Sequence, residues 1–513
     1  MIQQIDYFVI APPLVLALAA GLVLLLDAFL PARPRTRTGL GLVTLAGVLL
    51  SLGFVVAQAA SGGSPRSTFC VPPNLAEGLQ LCSYVTDGFT LIFAGLMLVA
   101  AVVIVLLSMT ELAGGAIPVG EWYFLLLCTL VGAVTLPASR DLIMLVVALE
   151  LVSLPVFALT ALKRYDGRAS EAAVKLFVVS VVSTAVMLFG VSLLYGISGT
   201  VYLSRLAAVF SGQAPAPGVL PAAGQELPAV VTVGVVLVVA GFAFKIAAVP
   251  FHSWAADVYQ GAPVPVAALL SVISKAAGFA GLILILVTGL AGQAATWAPI
   301  VAIVAALTMT AGNLLAMRQR SAVRLLAWSS VAQSGYILAP LALATTSGPE
   351  PGQTGGAISA SIAYLVIYAA MNLGAFTVVM LVSRWSARNE LDDYRGLVFG
   401  RPATGIALAF CLICLAGLPP GLAGLFAKVF VFREIVGGGY GWLAVVMAVN
   451  TVIGLYYYAI WTARLFAPAT STVPRRATST WLVMAMGLAV AAAVLFSIAP
   501  QLVLDLTTLS PSG

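Results

Sequence analysis

Two lysines buried in apolar sequence define the chemistry open to this chain. Lys245 and Lys275 flank the bridge VPFHSWAADVYQGAPVP, and each lies in a run apolar enough to be membrane-embedded. A lysine near the centre of a helix in lipid costs roughly 2.5–3.5 kcal/mol. Two such residues thirty positions apart imply a use for a side chain that takes up and releases protons. Pro250 interrupts the backbone hydrogen-bond ladder between them, and Pro263 and Pro265 close the bridge. Unwound backbone at membrane depth is tolerated only against protein or a water-filled cavity. A protonatable side chain beside such a break reads as part of an ion path.

Four further residues belong to this set. Glu150 lies nine residues after Asp141, roughly 14 Å into an apolar run. It is either a neutral acid bonded to a carbonyl or the partner of an intramembrane lysine. Lys175 follows the loop KRYDGRASEAAV, so it either snorkels to the headgroups or joins the buried lysines. Lys428 follows the pair Pro419-Pro420 inside a long apolar run. His252, the single histidine, either bonds the unwound backbone or relays a proton. Four intramembrane lysines face one comparably deep carboxylate, and unpaired they would cost on the order of 10 kcal/mol. Some are therefore expected to be neutral. This favours protons over a bound metal ion, which would want several carboxylates, and no metal or haem spacing is present.

The elements that position these residues are apolar helices. Of 513 residues, 61% are hydrophobic and 8% charged, which excludes an ordinary soluble protein and implies an all-α polytopic membrane protein. The net charge of +6 comes from basic residues scattered between apolar runs and is no nucleic-acid signal. The N-terminus lacks a basic leader region, so the first run is expected to remain as a helix. Fourteen candidate spans run about 8–29, 39–60, 86–109, 121–137, 141–161, 172–196, 229–249, 264–290, 297–317, 325–345, 357–383, 403–436, 441–465 and 479–504. Sixteen basic residues, among them Arg164, Arg475 and Arg476, fall in loops on one side, against Arg66, Arg140, Arg205 and Arg433 on the other. That asymmetry puts the first side in the cytoplasm and both termini outside. Span 7 breaks at Pro250 and span 12 at Pro419-Pro420, five spans apart, an offset that inverts the second copy relative to the first. Cys70 and Cys82 share one polar loop on the outer side, where a disulfide is possible.

From Arg140 to about Phe432 the chain resembles one family closely. The matching strings are LELVSLPVFAL, SEAAVKLFVVS, FKIAAVPFHSWAADVYQGAPVPVAALLSVISKAAGF, RLLAWSSVAQSGYIL, YAAMNLGAF, LDDYRGL and AGLPPGLAGLFAKVFVF. They are similar to subunit N of respiratory complex I, the proton-pumping NADH:quinone oxidoreductase, within its antiporter-like membrane subunits. The resemblance implies fourteen transmembrane helices with two inverted five-helix repeats and broken helices 7 and 12. Residues 1–120 would hold helices 1–3, 121–290 the first repeat, 297–465 the second, and 466–513 the last helix. It implies that Glu150 pairs with a lysine, that Lys245 and Lys275 lie on a central hydrophilic axis with Lys175 as a further member, and that Lys428 serves the second half. Flavin, iron–sulfur clusters and quinone would belong to other subunits, with none in this chain. Expected neighbours are the antiporter-like subunit M and the small subunits J and K in a bacterial plasma membrane. Ala256 stands where the family pattern has proline, and Gln333 where histidine is common. A cation/proton antiporter subunit and a non-pumping membrane scaffold are the competing readings.

Overall fold

The computed structural model describes residues 5–31, 33–62, 64–72, 81–163, 166–213, 229–344, 353–386, 388–468 and 478–508. Arg164, Arg475 and Arg476 lie outside the described residues. Helices α1 (Ala11–Phe29) and α2 (Pro34–Ala60) open the chain. Each has proline in its first turn, where no hydrogen-bond partner for the N–H is lost. A hairpin of β1 (Arg66–Cys70) and β2 (Cys82–Thr86) follows, with Cys70 opposite Cys82 and a disulfide between them. Next come α3 (Gly88–Leu112), α4 (Val119–Thr135), α5 (Leu142–Ala161) and α6 (Gly167–Ser198).

Acidic caps start three of these helices. The side chains of Asp87, Asp141 and Asp166 accept first-turn N–H groups of α3, α5 and α6. Lys163, 2.9 Å from Asp166, hydrogen-bonds its carboxyl and holds it below the usual carboxylate range. Arg140 pairs with Asp87, and its own N–H donates to the Ser83 carbonyl at 2.8 Å. The turn between α4 and α5 is thereby fastened to the hairpin.

The middle of the chain holds α7 (Leu203–Phe210), α8 (Ala229–Lys245), α9 (Trp254–Gly261), α10 (Val264–Leu269) and α11 (Lys275–Ile283). A π-helical turn, Leu270–Ser274, joins α10 to α11. Then follow α12 (Ala294–Ala316), α13 (Ala322–Leu338), α14 (Gln353–Ser383), α15 (Leu397–Gly400), α16 (Pro402–Ala416) and α17 (Leu422–Gly437). The chain closes with α18 (Gly441–Leu465), α19 (Thr480–Ile498) and α20 (Pro500–Thr507).

The molecule is a helical membrane protein. Among the described residues, eleven segments are long and apolar enough to cross a bilayer. They correspond to all the expected spans except the seventh, tenth and twelfth. There the helices are shorter, 17 residues in α8, 17 in α13, and 15 and 16 in α16 and α17. In each case the chain supplies the reason, since Pro250, Pro340 and the pair Pro419-Pro420 follow the helix end. Segment Val264–Gly289 and helix α14 are surrounded by protein on nearly all sides, whereas α1, α6 and α19 turn most of their apolar surface outward. An apolar outer face is what lipid requires, so a helix apolar all round stands at the rim as readily as in the core.

Glycines at and after the α16–α17 turn hold places that a side chain would not fit. Gly417 has φ +82°, a left-handed conformation suited to glycine. A Cβ on Gly424 would sit on the carbonyl oxygen of Cys414, whereas one on Gly437 would meet nothing within 4 Å. Overpacking costs about 1–3 kcal/mol even where side chains can yield, and here the obstacle is backbone. Gly424→Ala is expected to lower the abundance of the protein in membranes severalfold while Gly437→Ala leaves it unchanged, as measured by quantitative immunoblot.

Candidate functional site

The site is built around the end of α8. A helix terminus leaves carbonyls without partners, and here side chains from neighbouring elements take them up. Trp254 Nε1 donates to the Phe244 carbonyl at 3.3 Å, and Ser334 Oγ to the Ile246 carbonyl at 2.7 Å. The Val249 N–H donates to Thr308 Oγ1 at 2.9 Å. Ala247 has φ +55°, a conformation that an alanine rarely adopts. The chain leaves α8 through Pro250 and resumes as α9 at Trp254.

Lys245, the last residue of α8, is buried and donates to Ser153 Oγ on α5. Ser153 lies three residues after Glu150, on the same face of the helix. The carboxylate of Glu150 accepts instead from Thr184 Oγ1 of α6 at 2.7 Å. No ion pair within 4.0 Å joins Glu150 to Lys245. The structure thus brings the two residues onto adjoining positions without direct contact. A cavity of about 10 Å³, room for one water, lies among Lys245, Ser153, Ser180 and Ser274.

Lys275 starts α11 directly after the π-helical turn and is 1% exposed. Its Nζ donates to the Ser330 carbonyl at 2.5 Å and to Ser330 Oγ at 2.6 Å. It also lies 5.9 Å from the centre of the Tyr368 ring, whose hydroxyl donates to Ser330 Oγ at 2.8 Å. Helix α13 connects this lysine to the end of α8. Ser334 Oγ reaches both the Ile246 carbonyl and, at 3.1 Å, the Ser330 carbonyl that Lys275 uses. Further along α13, Gln333 accepts from Tyr364 at 2.6 Å and donates to the Tyr458 hydroxyl at 3.3 Å, and Tyr458 also bonds Ser329.

Lys428 of α17 caps α16. Its Nζ donates to the carbonyls of Ala416 at 2.7 Å and Leu415 at 3.3 Å, and lies 5.7 Å from the centre of the Tyr336 ring. Tyr336 stacks on Tyr364 and accepts from Asn313 Nδ2 at 3.2 Å. The absence of a side chain at Gly417 leaves room for the lysine, since a Cβ there would lie 3.2 Å from its Nζ. Among the described residues, none of these three buried lysines contacts a carboxylate. No group of three or more metal-ligating side chains occurs among them either.

Comparison with known proteins places this arrangement. Residues 139–454 match the transmembrane family described as NADH:quinone oxidoreductase/Mrp antiporter. NADH-quinone oxidoreductase subunit N 2 of Streptomyces griseus is 48% identical, over 99% of this chain and 94% of the relative. The chain belongs to the NADH-quinone oxidoreductase subunit N family. Subunit N of Salinispora tropica is 44% identical over 89% of this chain and 84% of its own length. A chain of respiratory complex I from Thermus thermophilus superposes with a TM-score of 0.73 at 29% identity, covering 96% of this chain and 98% of that one.

In this member of the subunit N family, Lys175 departs from the expected position. It is 44% exposed and bonded to Glu171 at 2.7 Å and Asp257 at 3.1 Å, with Arg324 holding the other oxygen of Asp257 at 2.7 Å. Lys175 is eight residues past the start of α6, so it remains close to the polar end of the helix and within reach of carboxylates. The structure does not bring it to the buried lysines. His252 stands beside Pro250 with its ring edge-on to Trp328 at 5.5 Å, and among the described residues its Nδ1 has no hydrogen-bond partner. Of the polar residues of α13 the sequence singles out Gln333 alone, and it does not single out Ser329, Ser330, Ser334 or the tyrosines of α14 and α18. The available signal is Tyr364 and Tyr368, spaced four apart within the otherwise apolar run 362–371.

Proposed function

We propose that this chain carries protons through the membrane arm of NADH-quinone oxidoreductase along a line of Glu150, Lys245, Lys275 and Lys428. Its place as a membrane subunit of that proton-pumping complex follows from its family, and the redox chemistry lies in other subunits. The observation that carries the proton path is the isolation of the three buried lysines from carboxylates. A charge in that setting is costly unless it can be given up, and lysine is a group that can release its proton. Quinone reduction elsewhere would move Glu150 and Lys245 between contact and separation, and the change in Coulomb energy would pass the proton to Lys275. His252 is a further relay candidate, while Lys175 would act at the polar entrance.

The finer architecture is part of the same reading. The chain would cross the membrane fourteen times, with helix 7 split at Pro250 and helix 12 at Pro419-Pro420. Residues 1–120 would precede two inverted repeats, 121–290 and 297–465, and 466–513 would hold the last helix. Two matching bridges support the repeats. Asp141, before α5, pairs with Tyr202, before the first split; Ser321, before α13, pairs with Glu390, before the second. Neighbours would include subunits M, J and K, and flavin, iron–sulfur clusters and quinone would be held outside this chain. Both termini would face the outside of a bacterial plasma membrane.

Two measurements test this reading. A tag on the chain is expected to retrieve a particle with flavin and iron–sulfur absorbance. Retrieval of an antiporter complex lacking both would favour the competing reading. After reduction, Cys70 and Cys82 are expected to react with a membrane-impermeant maleimide in intact cells, and labelling only in inverted vesicles would reverse the topology.

A further inference from the structure

A second feature of the molecule lies along α14 at Val366, Ala369, Ala370 and Leu373, residues other than the Tyr368 that packs on Lys275. A groove of about 970 Å³ runs between α2, α3, α14, α19 and α20. Its walls along α3 extend from Phe89 to Val103, fourteen helical rises, or about 21 Å. The walls are apolar, and the polar lining residues gather at one mouth, where Arg66, Gln58, Asp87 and Thr507 meet. Asp87 is already engaged by Arg140. Arg66 is exposed, stacks over the Phe8 ring at 5.2 Å and makes no ion pair among the described residues. The uncommitted charge at the mouth is therefore positive.

We propose that this groove is a binding site for one anionic phospholipid, its headgroup on Arg66 and an acyl chain in the apolar shaft. The charge at the mouth decides between possible occupants. A docked apolar helix would leave Arg66 without a counter-charge, whereas a lipid phosphate supplies one. A shaft of about 21 Å spans more than one leaflet of a hydrocarbon core about 30 Å thick. An apolar shaft ending at one unpaired guanidinium matches a phosphate on a hydrocarbon tail.

Gly95 provides the test, because a Cβ there would meet nothing within 4 Å. Gly95→Phe would fill the shaft with little disturbance of helix packing. The assembled complex, washed free of lipid in detergent, would be titrated with phosphatidylglycerol and separately with phosphatidylcholine, and bound lipid counted by native mass spectrometry. The wild type is expected to prefer phosphatidylglycerol about fivefold, the contribution of one basic residue near a lipid phosphate. Arg66→Gln should erase that preference, and Gly95→Phe should remove one bound lipid per complex. Ala492→Leu, on the α19 wall, offers a second way to fill the groove if Gly95→Phe fails to assemble. An unchanged preference in Arg66→Gln, or an unchanged lipid count in an assembled groove-filling variant, overturns the proposal. So does a map of the complex with a neighbouring helix or a quinone in the groove.

Discussion

Glu150→Gln is expected to assemble at wild-type abundance and to lose proton pumping about tenfold or more. Glutamine keeps the length of the side chain and an oxygen that can accept from Thr184 Oγ1, as Glu150 does now at 2.7 Å. Packing between α5 and α6 should therefore survive. What disappears is the negative charge three residues from Ser153, the partner of Lys245. If the lysine's proton is governed by that charge, a change of one carboxylate is worth at least the ~1.4 kcal/mol that makes a factor of ten. The measurement is proton uptake by vesicles driven by NADH, normalised to NADH–ferricyanide activity as a count of complexes. Pumping within twofold of wild type would reduce Glu150 to a hydrogen-bond acceptor for α6.

The sequence and the structure agree best where a residue is costly enough to be visible alone. Lys245, Lys275 and Lys428 stand out because each is an ammonium in an apolar run, and all three are buried. The ends of α8, α13 and α16 have a similar cause, since a proline, which removes a donor wherever it stands, follows shortly after each. Lys175 is the lysine whose sequence leaves it between snorkelling and burial, and it lies on an exposed face with two carboxylates. Helices apolar on every side carry no periodic signal to tell inner from outer faces, so depth and direction could not be separated there. The links between the lysines were hidden for another reason. Ser330 and Ser334 are unremarkable helix residues one by one, and they link the end of α8 to Lys275 only because α13 packs against the end of α8 and the start of α11. Contacts between residues 55 and 88 positions apart are set by tertiary packing, which no local pattern records.

Lys275→Arg is expected to abolish proton transfer in a fully assembled complex. If Lys275 only supplies positive charge, arginine supplies it equally well and turnover should persist. If Lys275 takes up and releases a proton, arginine must block, because its guanidinium stays protonated even when buried. The surroundings allow the exchange to be attempted. Nζ now donates to two oxygens of Ser330 and lies against the face of Tyr368, and a guanidinium can donate to both oxygens and lie on the same ring. The pocket is closed, with the residue 1% exposed, so the larger group adds about 1–3 kcal/mol of overpacking. That is enough to reduce assembly, and abundance must be measured beside activity. Lys275→Ala removes charge and proton together and is expected to block under either account, so it separates nothing. Ser330→Ala completes the comparison. It removes the hydroxyl shared by Lys275 and Tyr368 but keeps the carbonyl acceptor, and should slow pumping only severalfold. An assembled Lys275→Arg complex that pumps at the wild-type rate and stoichiometry would exclude this lysine as a proton carrier and leave it a fixed charge.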